Sequence, residues 1–133
     1  MKKFTYIISL SLLVLVSSCG ISEDCFKGNG NAITQTFPLE NFTKIKVYDG
    51  VGLVIKEGPN YEVKIKTSDN ILPNLEVNLE GEMLVVKDNS TCNIARDYGL
   101  TTVYVTSPNL TEIHSKTEQD IKSDGVLNYP NLN

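Results

Sequence analysis

Residues 44–66 read KIKVYDGVGLVIKEGPNYEVKIK, and apolar side chains recur at every second position through much of this stretch. Ile45 and Val47 alternate with lysines, and Val63 and Ile65 do so again. This period of two is typical of strands that bury one face and leave the other in water. The turn signals Asp49-Gly50 and Gly58-Pro59-Asn60 divide the stretch into three predicted strands.

The same alternation continues on both sides of this stretch, so we predict an all-β fold. Turn signals follow one another about every ten residues, a spacing typical of short consecutive strands. Residues 69–72 have the composition of a single helical turn, which Pro73 would end, and residues 88–99 form the longest irregular segment. Strands are predicted over residues 33–37, 44–48, 51–56, 61–66, 75–80, 83–87 and 101–106.

The tripeptide Pro-Asn-Leu occurs three times, beginning at Pro73, Pro108 and Pro130. The last two copies lie 22 residues apart, a plausible length for one coil of a β-solenoid. Residues 41–45 and 109–113 also match in pattern. We therefore expect short antiparallel or mixed strands that lead into a β-solenoid stack, with chance recurrence of a turn-forming tripeptide as the alternative. The chain ends where a further coil would begin, as in a shortened stack or a fragment.

Residues 1–18 have the layout of an export signal. Lys2 and Lys3 precede an apolar run, and small residues lead up to Cys19. The run is shorter than the ~20 residues that span a bilayer comfortably. Small residues directly before a cysteine resemble the bacterial lipobox, in which the thiol is acylated. Cys19 is therefore the predicted lipidation site, and an ordinary signal peptide with an incidental cysteine is the alternative.

The chain is expected to have three segments: a lipoprotein signal peptide (residues 1–18), a lipidated cysteine with its tether (residues 19–31) and a β-rich domain (residues 32–133). Glu23 and Asp24 lie in the tether. Acidic residues at this position resemble the surface-export signal of some Gram-negative lipoproteins, and a solvated linker would have the same composition. We expect the mature protein to be anchored in the outer membrane, facing the periplasm or the cell surface.

The charge balance argues against nucleic acid as a partner. The chain has 12 basic and 16 acidic residues and a net charge of −4, and removal of Lys2 and Lys3 with the signal peptide makes it more acidic. An acidic surface does not attract phosphate backbones or anionic lipid. Membrane attachment is therefore expected through acyl chains on Cys19, where each buried methylene contributes about 0.8 kcal/mol.

Two cysteines remain once Cys19 is acylated. Cys25 and Cys92 then form an even pair in an oxidising compartment, which favours a disulfide. The loop that it closes would contribute about 4 kcal/mol in the chain-entropy description. Two free thiols are the alternative, and zinc is disfavoured because its structural sites take four ligands. No metal or other cofactor is predicted.

Three tyrosines form the candidate binding surface. Tyr48, Tyr98 and Tyr104 fall at or near predicted strand edges. Exposed tyrosines stack on sugar rings or anchor a protein partner, and a role in packing or solubility is the alternative. The candidates for hydrolytic chemistry are His114 and the carboxylates Glu76, Glu80 and Glu82, none of which lies in a catalytic motif.

An ordered set of motifs resembles one family of bacterial envelope proteins, the "putative auto-transporter adhesin, head GIN domain" family. The resemblance implies a β-solenoid or β-helix-like fold, an envelope location and an adhesive or binding role without catalytic residues. The chain departs from the family after Ser115, where members continue into Gly- and Ser-rich turns and further coils. The motifs are Lys27-Gly28-Asn29-Gly30 after Cys25, Phe42-x-x-Ile45-x-Val47, Val63-x-Ile65, Gly81-x-x-Leu84-x-Val86, Cys92-Asn93 with Arg96, and Asn109-Leu110-x-x-Ile113.

The sequence thus predicts a non-enzymatic, lipid-anchored envelope protein whose β domain binds a polysaccharide or a protein. A first alternative is a structural module of an envelope assembly, which would self-associate through the open edge of its C-terminal coil. A weaker alternative is an enzyme that acts on envelope glycans.

Overall fold

The computed structural model describes residues 23–92 and 95–133, and the regular structure in this part of the chain is almost entirely β-strand. Two short 3₁₀ helices span Glu23–Phe26 and Leu72–Asn74. The predicted all-β class is confirmed, whereas the signal peptide and Cys19 lie outside the described residues. The strands are β1 (Ala32–Phe37), β2 (Lys44–Tyr48), β3 (Val51–Glu57), β4 (Glu62–Ser68), β5 (Leu75–Glu80), β6 (Met83–Asp88), β7 (Thr101–Ser107), β8 (Glu112–Lys116) and β9 (Ile121–Ser123).

The strands form two sheets, and each is mixed, in agreement with the predicted mixed strand pairing. The five-stranded sheet has the order β1-β4-β7-β3-β9, and the four-stranded sheet has the order β5-β6-β2-β8. Strand β4 pairs antiparallel with β1 on one side and with β7 on the other, and β5 pairs antiparallel with β6. The remaining pairs, which involve β2 and β3, are parallel.

Three strand pairs, which we call rungs, each contribute one strand to each sheet. The rungs are β2–β3, β6–β7 and β8–β9. Rung β2–β3 lies in the middle, since β2 pairs with β6 and β8 while β3 pairs with β7 and β9. Only two residues, Asp49 and Gly50, separate its strands, and Gly50 takes a φ of +79° that favours glycine.

The core lies between the sheets and consists of the inward-facing side chains of the rungs and of β4. Alternate positions on β2 are buried, and the lysines between them face solvent, as the period of two predicts. Burying one such apolar side chain contributes about 1.5–3 kcal/mol. The fully buried apolar residues include Phe42, Ile45, Val47, Val51, Leu53, Val63, Ile65, Leu84, Val86, Val103 and Leu110.

The segments that precede β2 and β8 repeat the same local structure, and a third segment, which ends at Asn133, continues the repeat. The Thr111 N–H donates to the Thr43 carbonyl (2.8 Å), and the Asn133 N–H donates to the Thr111 carbonyl (2.9 Å). Phe42 and Leu110, which precede the two threonines, are both fully buried. The three segments are therefore stacked in register along one side of the four-stranded sheet.

Two of the three Pro-Asn-Leu copies belong to this repeat. Those at Pro108 and Pro130 precede the stacked positions. Pro73 instead lies inside the 3₁₀ helix Leu72–Asn74, which leads into the antiparallel strand β5. The helical turn predicted over residues 69–72 is thus shifted toward the C-terminus, because proline is well tolerated in the first turn of a helix. A complete β-solenoid stays a prediction.

Strands β8 and β9 were not predicted. Ile113 is the partly buried apolar residue that β8 packs against the core, and β9 has three exposed residues. Such short strands lack the alternation that identifies a strand in sequence. Their conformation follows from parallel pairing with β2 and β3 instead.

The segment after β9 is tied to the core by Tyr129, which is 9% exposed. Its hydroxyl donates to the Ser107 carbonyl (2.9 Å) and lies 3.2 Å from the Ser107 hydroxyl. Burial, more than any other factor, raises the pKa of this phenol.

Candidate functional site

The outer face of the four-stranded sheet carries one tyrosine surrounded by three lysines. The ammonium nitrogens of Lys46, Lys116 and Lys87 lie 5.1, 5.6 and 5.8 Å from the centre of the Tyr48 ring. We call these four residues the lysine cluster. Cations are attracted to the electron-rich face of an aromatic ring, by about 0.5–1 kcal/mol at exposed sites.

Parallel pairing in register brings the lysine cluster together. Lys46 precedes Tyr48 by two residues on β2, so both side chains point outward. Lys116 is the register partner of Tyr48 on β8. Lys87 follows Val86, which is the partner of a β2 residue next to Tyr48. The cluster therefore draws on all three rungs.

Within the described residues, no carboxylate oxygen lies within 4.0 Å of an ammonium group of the lysine cluster. Lys44, on the same strand and the same face, differs: its ammonium nitrogen lies 3.2 Å from Glu112 Oε2. His114 Nε2 lies 3.0 Å from the same oxygen. These contacts, that of His114 foremost, lower the pKa of Glu112.

Glu76 borders the lysine cluster on the side of β5. It is the register partner of Lys87. Its two carboxylate oxygens accept hydrogen bonds from the side-chain amides of Asn78 (3.2 Å) and Asn89 (3.1 Å). The amide donors hold this carboxylate, and it forms no ion pair with Lys87.

The outer face of the five-stranded sheet carries Tyr104, which is 41% exposed. Its register partners are Val54 and Lys64. Three lysines on this side of the molecule are paired, the first of them Lys64, which lies 2.7 Å from a Glu62 oxygen. The same holds for Lys122 with Asp120 at 2.7 Å and for Lys56 with Asp124 at 3.8 Å.

Two shallow depressions flank Tyr104. One, of about 250 Å³, is bounded by Glu62, Lys64 and Asp124 among others. The second, of about 390 Å³, is bounded by Asp120 and Lys122. The Lys122 hydrogen bond lowers the pKa of Asp120, and the same contact raises the pKa of Lys122. The depressions thus carry neutralised charge pairs.

Tyr98 lies in the connection between β6 and β7 and is 77% exposed. It borders a third depression, of about 370 Å³, together with the carboxylates of Asp49, Asp88 and Glu118. Hydrogen bonds from Gln119 and from backbone N–H groups lower the pKa of Glu118. This end of the molecule is acidic.

The three predicted tyrosines therefore do not form one surface. Tyr48 and Tyr104 lie on the outer faces of different sheets, and Tyr98 lies in a connection between the sheets. Each is accessible in part, so each remains a candidate contact on its own surface. Only Tyr48 gathers cationic side chains from neighbouring strands.

A disulfide joins Cys25 to Cys92, with the two Cα atoms 4.7 Å apart. It connects the 3₁₀ helix Glu23–Phe26 to the segment after β6, across 67 residues of sequence. The Arg96 side chain donates to the Cys92 carbonyl (3.3 Å). The disulfide thus fixes the described part of the predicted tether, from residue 23 onward, to the β domain.

The weaker candidates for chemistry are dispersed. His114 is exposed and bonds to Glu112, while Glu76, Glu80 and Glu82 lie on or beside β5. Among the described residues, no group of three His, Cys, Asp or Glu side chains is arranged to hold a metal ion. No helix in the same part of the chain has the length and apolar character needed to cross a bilayer.

Several solved structures have a similar fold. A putative adhesin from Bacteroides fragilis aligns with a TM-score of 0.61 and 19% identity, over 68% of this chain and 42% of that one. A putative adhesin from Parabacteroides distasonis aligns with a TM-score of 0.58 and 14% identity, over 74% and 42%. A putative lipid binding protein from the same species aligns with a TM-score of 0.51 and 20% identity, over 65% of this chain and 38% of that one.

This chain spans about two fifths of the length of those structures, and likeness at such low identity shows the fold alone. The curated proteins include no significant match to it. Residues 41–133, which include β2 to β9 and the whole lysine cluster, match one family model. The resemblance predicted from the motifs is confirmed, and the chain belongs to the family described as "Putative auto-transporter adhesin, head GIN domain".

Proposed function

We propose that this chain is a lipid-anchored outer-membrane protein whose β domain binds a polysaccharide or a protein without catalysing a reaction. The observation that carries the proposal is the lysine cluster, an aromatic and cationic group on the outer face of the four-stranded sheet. The family's adhesin description is consistent with a surface or envelope protein. Tyrosine anchors protein and sugar contacts well, because its ring is apolar and its hydroxyl forms hydrogen bonds.

The outer face around Tyr48 is the preferred binding surface because, among the described residues, no carboxylate oxygen lies within 4.0 Å of Lys46, Lys87 or Lys116. Replacing Tyr48 by Ala should abolish retention of the domain on a panel of immobilised polysaccharides, while Tyr104→Ala and Tyr98→Ala should retain it. Circular dichroism and thermal unfolding would verify that each variant is folded. Loss of retention in Tyr104→Ala alone would move the binding surface to the other sheet. Full retention by all three variants would contradict binding through these tyrosines.

The lipid anchor is proposed from the residues before Cys19. Labelled palmitate should enter the wild-type protein in bacterial cells and should not enter a Cys19→Ser variant. Protease treatment of intact cells would then distinguish display on the surface from a location facing the periplasm. Absence of label in the wild-type protein would contradict the anchor.

The non-catalytic role has its own test. A glycosidase uses two carboxyl groups, one of them as the general acid. Release of reducing sugar from any polysaccharide that the domain retains would favour the enzyme alternative.

The name of the Parabacteroides distasonis structure as a putative lipid binding protein makes lipid a competing ligand class. The proposal favours a polysaccharide or a protein because the described outer faces are dominated by charged residues and tyrosines. Co-sedimentation of the domain with neutral phosphatidylcholine vesicles, at a level above its retention on polysaccharides, would favour lipid.

A structural module is the second candidate function, and the edge at β9 favours it. We propose that the three rungs are part of a β-solenoid, whose growth along this edge would come from further coils or from another copy. Leu53 N–H donates to the Asp120 carbonyl, and Asp124 N–H donates to the Ile55 carbonyl. By the alternation of a parallel ladder, the Ser123 N–H therefore points away from β3.

Sedimentation velocity would test self-association through this edge. Association that increases with protein concentration should be lost in a Ser123→Pro variant, since proline removes the outward N–H group and leaves the bonds to β3. Thr34→Ala, on the distant strand β1, is the control variant. A wild-type monomer at all concentrations would contradict the structural module.

A further inference from the structure

We propose that the lysine cluster is a site for an acidic polysaccharide that lies across the strands along the row Lys87, Tyr48 and Lys116. This inference rests on the proposed binding function of the Tyr48 face. It adds the ligand's charge, its direction across the sheet and the residues that contact it.

Electrostatics is the first reason. The three ammonium groups surround one ring, so no two of them are more than about 12 Å apart. At physiological ionic strength the screening length is about 8 Å, and their mutual repulsion is only partly screened. An anionic group placed among them relieves this repulsion, and within the described residues no carboxylate oxygen lies within 4.0 Å of these ammonium groups.

The tyrosine supplies the second reason. Tyr48 lies on β2, an inner strand of its sheet, and pairing with β6 and β8 on either side fixes the backbone of this strand. A ring on a rigid strand offers an apolar surface for the C–H face of a sugar, and its hydroxyl offers a hydrogen bond. Charge and ring together therefore suit a chain of sugars that carry carboxylate or sulfate groups.

The shape of the face gives the direction of the ligand. Neighbouring strands lie 4.7–4.9 Å apart, so the distance from β6 across β2 to β8 is about 10 Å. A short segment of polysaccharide that runs along this row reaches Lys87, Tyr48 and Lys116 together. Lys46 lies beside the row on β2 and faces the same segment.

The acidic residues around the lysine cluster favour a single polysaccharide chain as the ligand over the broad surface of a membrane or a protein. Glu76 and Glu80 lie on β5, and Glu112 lies on β8. A membrane of anionic lipid or the surface of an acidic protein would meet these carboxylates as well as the lysines. A single polysaccharide chain along the row meets the lysines and avoids Glu80 and Glu112. Of these carboxylates it approaches only Glu76, the register partner of Lys87, whose oxygens accept hydrogen bonds from Asn78 and Asn89.

Isothermal titration of the folded domain with polygalacturonate, in 20 and 150 mM salt, would test the proposal. The triple variant K46Q/K87Q/K116Q should weaken binding at least tenfold, and the wild-type affinity should fall as salt rises. The matched control K56Q/K64Q/K122Q removes the same charge from the other sheet and should change affinity less than twofold. Thermal unfolding verifies that both variants are folded.

The comparison ligands are neutral dextran, poly-glutamate, poly-deoxythymidine and phosphatidylglycerol vesicles. Binding of polygalacturonate above all four supports the site. Equal weakening by both triple variants would show attraction to total charge and would overturn it, as would tighter binding of vesicles, nucleic acid or poly-glutamate. If dextran binds as well as polygalacturonate and Tyr48→Ala still abolishes retention, the acidic ligand is wrong while the proposed binding function stands.

Discussion

The two outer faces of the molecule carry the same residue types and differ in how their charges are paired. Around Tyr104, Lys64 and Lys122 each lie 2.7 Å from a carboxylate oxygen. Around Tyr48, the lysines approach the ring and no described carboxylate. Exposed ion pairs contribute only about 0–1 kcal/mol to folding, so the pairing matters less for stability than for what each face has left to offer a ligand. Five variants test this difference and the core beneath the two faces.

The largest effect is expected from damage to the core that both faces share. Leu53, on β3 of the middle rung, is 0% exposed. A Leu53→Ala variant should lose about 2–5 kcal/mol of unfolding free energy, because it removes buried methyl groups and leaves a cavity. Urea unfolding measures the loss, and Val54→Ala, which alters the outer face of the same strand, is the control with a smaller effect.

Hydrogen exchange in the Leu53→Ala variant would show whether the two faces belong to one cooperative unit. Amides of β2 and β3 should lose protection together, since both strands line the same core. Loss of protection confined to the five-stranded sheet would separate the faces into independent units, and the comparison between them would then fail.

The second effect concerns the charge pairing itself. His114 is the register partner of Lys46, so His114→Glu would place a carboxylate beside the lysine cluster. The new charge should weaken polygalacturonate binding about fivefold, in line with about 1 kcal/mol for an opposite charge at close range in water. His114→Gln, which changes the side chain without adding the charge, should have less than half of this effect.

The reciprocal change should move the Tyr104 face toward anion binding. Glu62→Gln with Asp120→Asn frees Lys64 and Lys122 from their partners. Measurable polygalacturonate binding should appear on this variant when its Tyr48 is also replaced by Ala. If no binding appears, free lysines beside a tyrosine are insufficient, and the placement of the cluster on three parallel strands is the decisive feature.

The third prediction concerns the stability contributed by Tyr129, which is buried, unlike Tyr48 and Tyr104 on the outer faces. Tyr129→Phe should cost about 1 kcal/mol at neutral pH, because Ser107 loses its hydrogen-bond partner. Since burial raises the folded pKa of this phenol, its contribution is complete below its ordinary pKa of 10.0 and is lost as pH rises through the raised value. Urea unfolding at pH 7 and pH 11 should therefore show a smaller alkaline loss in the variant than in the wild type.

The smallest effect is expected at Glu112, whose lowered pKa reflects its bonds with His114 and Lys44. Its stabilising contribution is complete above the ordinary carboxyl pKa of 4.5 and is lost as pH falls through the lowered value. Glu112→Gln should remove this part of the acid response and, by freeing Lys44, strengthen polygalacturonate binding less than twofold. Thermal midpoints between pH 2 and pH 6 measure the first effect, and Glu80→Gln is the control on the same face.

Much of the fold was predictable because the information is local. Alternation of apolar and polar residues marks β2 to β7, and it correctly placed Ile45 and Val47 inside with Lys46 and Tyr48 outside. The exposed strand β9 carries no such signal, and it forms because the middle rung lies beside it. The order of the rungs was likewise unpredictable, since it depends on pairing between strands that are distant in sequence and not on the residue pattern within each strand.

The candidate site was predictable only in part, for the same reason. Alternation indicated that Tyr48 and Tyr104 face outward, but it did not assign them to different sheets. Lys46 is close in sequence, whereas Lys87 and Lys116 follow Tyr48 by 39 and 68 residues. Their convergence depends on the register of β2 with its two neighbours. No property of the separate lysines distinguishes them from those that ion pairs neutralise.

The position of β2–β3 in the middle of the stack has a consequence for the speed of folding. The middle rung is synthesised early, whereas its parallel neighbours β6–β7 and β8–β9 lie dozens of residues later in the sequence. Contacts so distant in sequence require long loops to close before any energy is gained, and domains built from them fold in milliseconds to seconds. The middle rung must therefore wait for strands that follow it in the sequence, and until they pair with it its two open edges are exposed to neighbouring molecules.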